Sequence, residues 1–229
     1  MSSQKALSIG RRAAMGRMLG LAGSIPLSLS CLGSANPAHG DTSENDTLRV
    51  EEDWYIQIGT PEPAEDSPQI TTVICPSWTL WGYYAVFDMN CATQPNFESG
   101  GVQLQLWKDD AIIQSRSNAD WTSLSHTDEE IRYTSAMSIH NGNLDFEIAN
   151  GSSSSWGAFG HGELKLNIPT WREHLNWYGT WFTELNSRVG FASHRVRRLI
   201  LERVRLYSAN GLQSEDNSPR VLHSYDPQA

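Results

Sequence analysis

The chain has 229 residues, a formal net charge of −9 and nine tryptophans. This length allows one large all-β domain or two small domains. The negative charge argues against a protein that binds nucleic acid or an anionic membrane surface, because both partners repel an acidic chain.

Residues 1–38 resemble an export signal. Basic residues precede an apolar stretch at 18–32, which is interrupted by Gly, Ser and Pro and is too short to span a bilayer stably. The Arg11-Arg12 pair resembles the start of a bacterial twin-arginine signal, and small residues near position 35 are cleavage candidates. A lipidated Cys31 and a retained anchor are the alternatives. We therefore expect a secreted or periplasmic protein without a stable membrane span.

The remainder divides into three regions. Residues 39–50 are polar and acidic and are expected to form a linker. Residues 51–212 contain about ten short apolar–polar alternations separated by turn signals, a pattern typical of an all-β, two-sheet antiparallel sandwich or jelly roll. Residues 213–229 are expected to be a polar tail. Strands are predicted at 54–58, 69–75, 83–89, 102–107, 111–116 and 164–168, with short candidates at 180–184 and 189–192.

One hairpin is specified by its turn. Asn141-Gly142 is the preferred pair for a two-residue type I′ turn. The turn pairs His140 with Asn143 and gathers the large apolar residues on one face. The opposite face then carries a polar set: Arg132, Thr134, Ser138, His140, Asn143, Asp145 and Glu147.

Two further elements follow. Thr170 to Glu173 has the residue types of a helix capping box, which predicts a short helix near 171–177. Val189 to Tyr207 reads as a long strand, apolar on one face and arginine-rich on the other. Its alternation slips by one residue at Glu202-Arg203, which predicts a β-bulge there.

The cysteines suggest a possible disulfide, and an acidic stretch suggests a possible calcium site. Export would permit a disulfide between Cys75 and Cys91, although two buried thiols are an equal alternative. No motif implies a cofactor. The acidic stretch from His126 to Glu130 could hold calcium, but a solvated loop is the preferred interpretation.

The strand of Asn143, Asp145 and Glu147 resembles the E-x-D-x-E strand of laminarinase-type retaining glycoside hydrolases, which fold as concanavalin-like jelly rolls. The resemblance implies that Glu147 is the acid/base and Asp145 its helper. Asn143 stands at the position of the nucleophile and cannot form a glycosyl-enzyme. The stretch from Leu144 to Tyr207 also resembles, at the level of pattern, concanavalin-like and laminin-G-like sandwiches. These families offer sugar-binding loops, calcium sites and, in some members, hydrolase or lyase activity.

The tryptophans point to glycans, because sugar rings stack on indole faces while amides and carboxylates bind the hydroxyls. Trp107 shares a strand face with Gln103 and Gln105, and Trp156 lies in a Ser/Gly loop. The strand arginines could grip an anionic glycan, but pairing with acids of neighbouring strands is preferred. The expected ligand-binding residues are Trp107, Trp156, Arg132, His140, Asn143, Asp145 and Glu147.

These observations predict a secreted, non-catalytic module that binds a polysaccharide or cell-surface glycan. One alternative is a glycan-active hydrolase or lyase that uses the carboxylates of Asp145 and Glu147 on a sheet face. Another is a structural or adhesive envelope protein without a small ligand.

Overall fold

The computed structural model describes residues 43–59, 68–77, 82–90, 101–118, 128–154, 156–190 and 192–226, so the expected signal at 1–38 lies outside them. The described residues form two antiparallel sheets and one short α-helix. The elements are β1 (Arg49–Ile58), β2 (Ile70–Ile74), β3 (Tyr83–Asn90), β4 (Gly101–Lys108), β5 (Ala111–Asn118), β6 (Glu130–His140), β7 (Asn143–Ser153), β8 (Gly157–Pro169), α1 (Thr180–Asn186), β9 (Arg188–Val189), β10 (Val196–Ser208), β11 (Gly211–Asp216) and β12 (Arg220–Ser224).

The expected all-β, two-sheet antiparallel sandwich is confirmed and is consistent with a jelly roll. One sheet has seven strands in the order β11-β10-β1-β6-β7-β8, with β12 also paired to β10. The other has five strands in the order β5-β4-β3-β2-β9. Apolar side chains from both sheets, among them Trp54, Phe87, Leu104 and Phe146, fill the space between them. Their removal from water is the main favourable term in holding the sheets together.

The predicted β-bulge is confirmed. Asp53 of β1 pairs with Arg203 of β10, and the next residue, Trp54, pairs with Leu201, which leaves Glu202 as the extra residue. The bulge resets the alternation, so that Leu201 and Val204 both point into the core. The strand is shorter than predicted, however. It begins at Val196, after a turn of 3₁₀-helix at Ser193–Arg195.

The predicted hairpin is also confirmed. Asn141 and Gly142 have φ angles of 49° and 72°, which a type I′ turn requires at both central positions. The register pairs His140 with Asn143, and continues through Met137 with Phe146. The predicted pairing of β4 with β5 across Asp109-Asp110 is present as well.

The short helix lies later in the chain than predicted. Residues 171–177 are not helical, and α1 instead covers 180–186, where a strand was expected. The Thr170 hydroxyl accepts a hydrogen bond from the Arg172 amide, two residues on, rather than from the third residue as in a capping box. The Leu175 amide donates to the Thr47 carbonyl, so a tertiary contact takes the place of a helical bond.

The boundaries of the sandwich also extend beyond the expected ones. β1 begins at Arg49, inside the expected linker, and β11 and β12 occupy most of the expected tail. β11 is largely exposed, whereas β12 is mostly half-buried and packs Leu222 against the core. They pair with β10 through backbone hydrogen bonds, which place no demand on side-chain hydrophobicity. An alternation pattern therefore could not reveal them.

A buried carboxyl ties α1 to the central strand. Glu52 of β1 points into the core and is fully buried. Its Oε1 accepts hydrogen bonds from the Tyr178 hydroxyl at 2.8 Å and the Thr183 hydroxyl at 2.7 Å. Burial raises its pKa from 4.5 to about 7, against the lowering effect of these bonds.

We predict that the domain loses stability as pH rises from 4.5 to 7. Over this interval folded Glu52 keeps a proton that the unfolded chain releases, so the contribution of Glu52 to stability is greatest below pH 4.5 and is lost above pH 7. The shift corresponds to about 3 kcal/mol in the free energy of unfolding. Glu52→Gln, which retains an acceptor for Tyr178 and Thr183, should flatten this slope in urea unfolding across pH.

The matched control is Glu147→Gln, which removes one carboxylate from the outer surface of the same sheet. It separates the effect of burial from the general effect of deleting a negative charge. An unchanged pH slope in Glu52→Gln would contradict the assigned role of Glu52.

A second prediction compares two glycines of β8. Gly157 and Gly160 have similar φ angles of 78° and 75°, which strain any other residue. A Cβ at Gly160 would lie 2.7 Å from the Ile148 carbonyl oxygen, whereas nothing lies within 4 Å of one at Gly157. Gly157→Ala should cost about 1 kcal/mol and Gly160→Ala about 2 kcal/mol more, measured by urea unfolding. Equal losses would show that the backbone at Gly160 is not held where the structure places it.

Candidate functional site

The five-stranded sheet carries apolar side chains on both faces. Its inner face contributes Phe87 and Leu104 to the main core. Its outer face carries a second apolar cluster, made of Val73, Cys75, Tyr84, Val86 and Phe182, with Trp107 packed against it. Phe182 comes from α1, so the helix lies over this outer face of the sheet.

Contacts on several sides fix α1 at the β2 edge. Phe182 packs on the outer face of the sheet, while the next residue, Thr183, is buried and bonds to Glu52. The Ser187 hydroxyl accepts a hydrogen bond from the Val73 amide at 2.9 Å. Glu184 forms an ion pair with Arg220 of β12 at 2.8 Å. The helix is therefore a rigid border of the outer face.

Aromatic rings contact one another in two pairs, one on α1 and one on the outer face of the sheet. Trp181 meets Phe182 edge to face, with centroids 5.8 Å apart. Tyr84 and Trp107 are stacked, with centroids 6.0 Å apart and planes inclined by 15°. Trp181 is 48% exposed and Trp107 is half-buried, so both keep surface that a ligand can touch.

A chain of side-chain hydrogen bonds continues from Trp107 along β4. The indole Nε1–H donates to Gln105 Oε1 at 2.8 Å, and Gln105 Nε2 donates to Gln103 Oε1 at 2.6 Å. Gln103 Nε2 then donates to the hydroxyl of Ser117 on β5 at 2.7 Å. We call Tyr84, Gln103, Gln105, Trp107 and Ser117, together with Thr71 and Asp88, the ladder face.

A carboxyl lies beside the ladder. Asp88 is paired in register with Gln103 and with Thr71, whose hydroxyl donates to its Oδ1. Burial raises the pKa of Asp88 to about 6, against the lowering effects of the Thr71 hydrogen bond and the Arg188 charge. The ladder face therefore combines flat rings, amides, hydroxyls and one shielded carboxyl.

The structure separates the residues that sequence analysis proposed as one site. Trp107 lies on the ladder face. Asn143, Asp145 and Glu147 lie on the outward-facing side of β7, in the other sheet, where Glu147 is paired with Lys165 of β8. The two groups are on opposite outer faces of the sandwich, so Trp107 and the β7 carboxylates cannot hold the same sugar ring.

The remaining proposed residues belong to the seven-stranded sheet. Trp156 packs against the core and meets Phe159 edge to face, so it is not a free platform. His140 is next to the hairpin turn and contacts the Asn141 amide. Arg132 lies over the Tyr55 ring and forms an ion pair with Glu202.

The strand arginines pair with acids, as preferred from the sequence. Arg203 and Arg205 of β10 both bond to Asp53 of β1, and Arg205 also reaches Glu51. Together with Arg132 and Glu202 they line an open depression of about 340 Å³ next to the bulge. Most of the charge in this depression is neutralised by these pairs.

The possible disulfide and the possible calcium site each include residues outside the described ranges. Cys75 is buried at the end of β2, and Cys91 lies outside the described residues, as do His126 and Thr127 of the calcium candidate. The described part of the chain contains no group of three His, Cys, Asp or Glu residues that could hold a metal ion.

Three tryptophans outside the expected set of ligand-binding residues are exposed. Trp171, Trp177 and Trp181 are 88%, 56% and 48% exposed. Three tryptophans in so short a stretch could have indicated exposed aromatic surface. The helix was predicted at the wrong position, however, so the tryptophan that borders the sheet could not be identified. Tyr84 and Asp88 were missed because their neighbours on the face come from distant strands.

None of the helices in the described ranges is long and apolar enough to cross a membrane. No protein-family model matches the sequence, and no curated protein matches it.

Proposed function

We propose that the protein is an exported, non-catalytic module that binds a glycan through the ladder face. The observation that carries the proposal is the continuity of this face. The stacked rings of Tyr84 and Trp107 lead directly into hydrogen-bonded Gln105 and Gln103. Flat rings beside fixed amides are the two features that sugar recognition requires, because rings cover the apolar face of a sugar and amides bind its hydroxyls.

The rigidity of the site supports binding. Gln105 is held by hydrogen bonds on both sides, and Trp107 is held by stacking on Tyr84. Side chains that are already ordered lose less conformational entropy when a ligand arrives. Trp181 adds a partly exposed indole on the firmly anchored helix α1.

The fold and the sequence pattern agree with this proposal. A two-sheet sandwich is the architecture of concanavalin-like and laminin-G-like domains, and we propose that the chain is a divergent domain of this kind. A cleaved signal in residues 1–38 would deliver it to the periplasm or the exterior, where polysaccharides and cell-surface glycans occur.

A non-catalytic role is favoured over hydrolysis. Two carboxyl groups flank the scissile bond in most glycoside hydrolases. On the ladder face, Asp88 is the single carboxyl among the residues that define it. On β7, Asn143 replaces the nucleophile that the laminarinase-like pattern requires.

We predict that Trp107→Ala and Trp181→Ala each weaken glycan retention in affinity electrophoresis by about tenfold, because each removes a stacking surface. Trp171→Ala is the matched control. Trp171 is more exposed than Trp181, but its ring contacts Arg172, whereas the Trp181 ring contacts Phe182, which packs on the outer face of the five-stranded sheet. Circular dichroism and thermal unfolding should confirm that each variant is folded.

The double variant Asp145→Ala with Glu147→Ala identifies the alternative face. If this variant loses retention while Trp107→Ala keeps it, the binding site lies on the seven-stranded sheet. If every variant and the parent fail to bind any polysaccharide, the structural or adhesive alternative replaces the glycan-binding proposal. Release of reducing sugar by the parent protein would instead favour the hydrolase alternative.

A further inference from the structure

The amide ladder has a fixed direction. An indole N–H can donate a hydrogen bond but cannot accept one. The Gln105 group that faces Trp107 must therefore be its oxygen, which turns the Gln105 NH₂ toward Gln103. The same reasoning places the Gln103 oxygen toward Gln105 and its NH₂ toward Ser117. The Trp107 N–H, at one end of this series of hydrogen bonds, thus sets the orientation of both amides.

Buried Gln105 and the more exposed Gln103 and Ser117 have different roles in the ladder. Gln105 is only 6% exposed, so it transmits orientation and offers a ligand little surface. Gln103 is partly exposed and Ser117 is exposed. Within the ladder, Gln103 uses one N–H and one oxygen lone pair, and retains one of each. Ser117 accepts a bond through its hydroxyl oxygen, so its proton remains free to be donated to a ligand.

The groups offered to a ligand are uncharged. Trp107, Gln103 and Ser117 carry no charge. Asp88 beside them is close enough to Arg188 for the two charges to interact, and the carboxylates of Asp109 and Asp110 are close enough to interact with Tyr84. The outer face of the other sheet is different, because ion pairs such as Arg205 with Asp53 cover it. An anionic sugar would find no unpaired cation among the residues that define the ladder face, and its desolvation would be uncompensated.

We infer that the ladder face takes an uncharged glycan with neighbouring hydroxyls, and that Trp107 is the positioning residue that sets which amide group each hydroxyl meets. A hydroxyl both donates and accepts, so adjacent hydroxyls match the N–H and lone pair that Gln103 retains. This inference rests on the proposed glycan-binding function of the same face.

The test uses the full mature chain on a panel of neutral, uronate-containing and sulfated polysaccharides, at low and high salt. The parent protein should bind neutral polymers best, with little salt dependence, because no exposed ion pair forms. Trp107→Phe keeps an aromatic ring but removes the N–H. It should lose about threefold in affinity, less than Trp107→Ala, and change the ranking of neutral sugars that differ in hydroxyl configuration.

The altered ranking is the decisive readout, because a merely loosened fold would weaken all sugars equally. Side-chain NH₂ signals of Gln103 in NMR spectra should shift in Trp107→Phe. The matched control Trp171→Phe should leave both the ranking and these signals unchanged.

If Trp107→Ala abolishes binding but Trp107→Phe preserves the ranking, the glycan-binding function stands and the positioning role fails. Preference for sulfated or uronate polymers that is lost at high salt would overturn the neutral ligand class. Unchanged binding by Trp107→Ala would overturn the proposed site itself.

Discussion

The pairing of β1 with both β10 and β6 is the constraint on which the larger sheet depends. β1 alternates strictly between buried and outward residues, so each neighbour must present its apolar side chains in the same phase. β10 meets this demand because it has two extra residues: Glu202 restores the phase for Val204 after Leu201, and Arg197 does the same between Val196 and Leu199. Without the bulge, one half of the strand would turn its arginines into the core, where unpaired charges are costly.

The buried carboxyl of Glu52 links the larger sheet to the helix beside the smaller sheet. Since Glu52 is on β1 and its partners are Tyr178 and Thr183, the central strand holds the helix that borders the ladder face. A buried carboxyl that lacks a full set of hydrogen-bond partners is unfavourable. Such a group persists where other contacts fix its position. The central strand of the seven-stranded sheet thus fixes the helix that borders the ladder face of the five-stranded sheet.

Local features were predictable from sequence and tertiary ones were not. The Asn141-Gly142 turn and the Glu202 bulge each leave a signature in adjacent residues, and both were found. Trp107 was placed correctly beside Gln103 and Gln105 because alternation defines a strand face. Periodicity does not say which sheet a strand joins, so Trp107 was grouped with the β7 carboxylates. It also missed β11 and β12, whose short, mostly polar sequences carry little apolar–polar alternation.

The sharing of one β10 edge by β11 and β12 bears on solubility. An uncovered strand of 13 residues would offer a long row of free amides and carbonyls to another chain. Two short strands instead cover different parts of it, β11 near Leu206 and β12 near Ile200. At the opposite edge, Gln114 donates a hydrogen bond to the Asn167 carbonyl of β8. Segments of five and six residues are poor templates for strand addition, so the sheet resists growing into intermolecular aggregates.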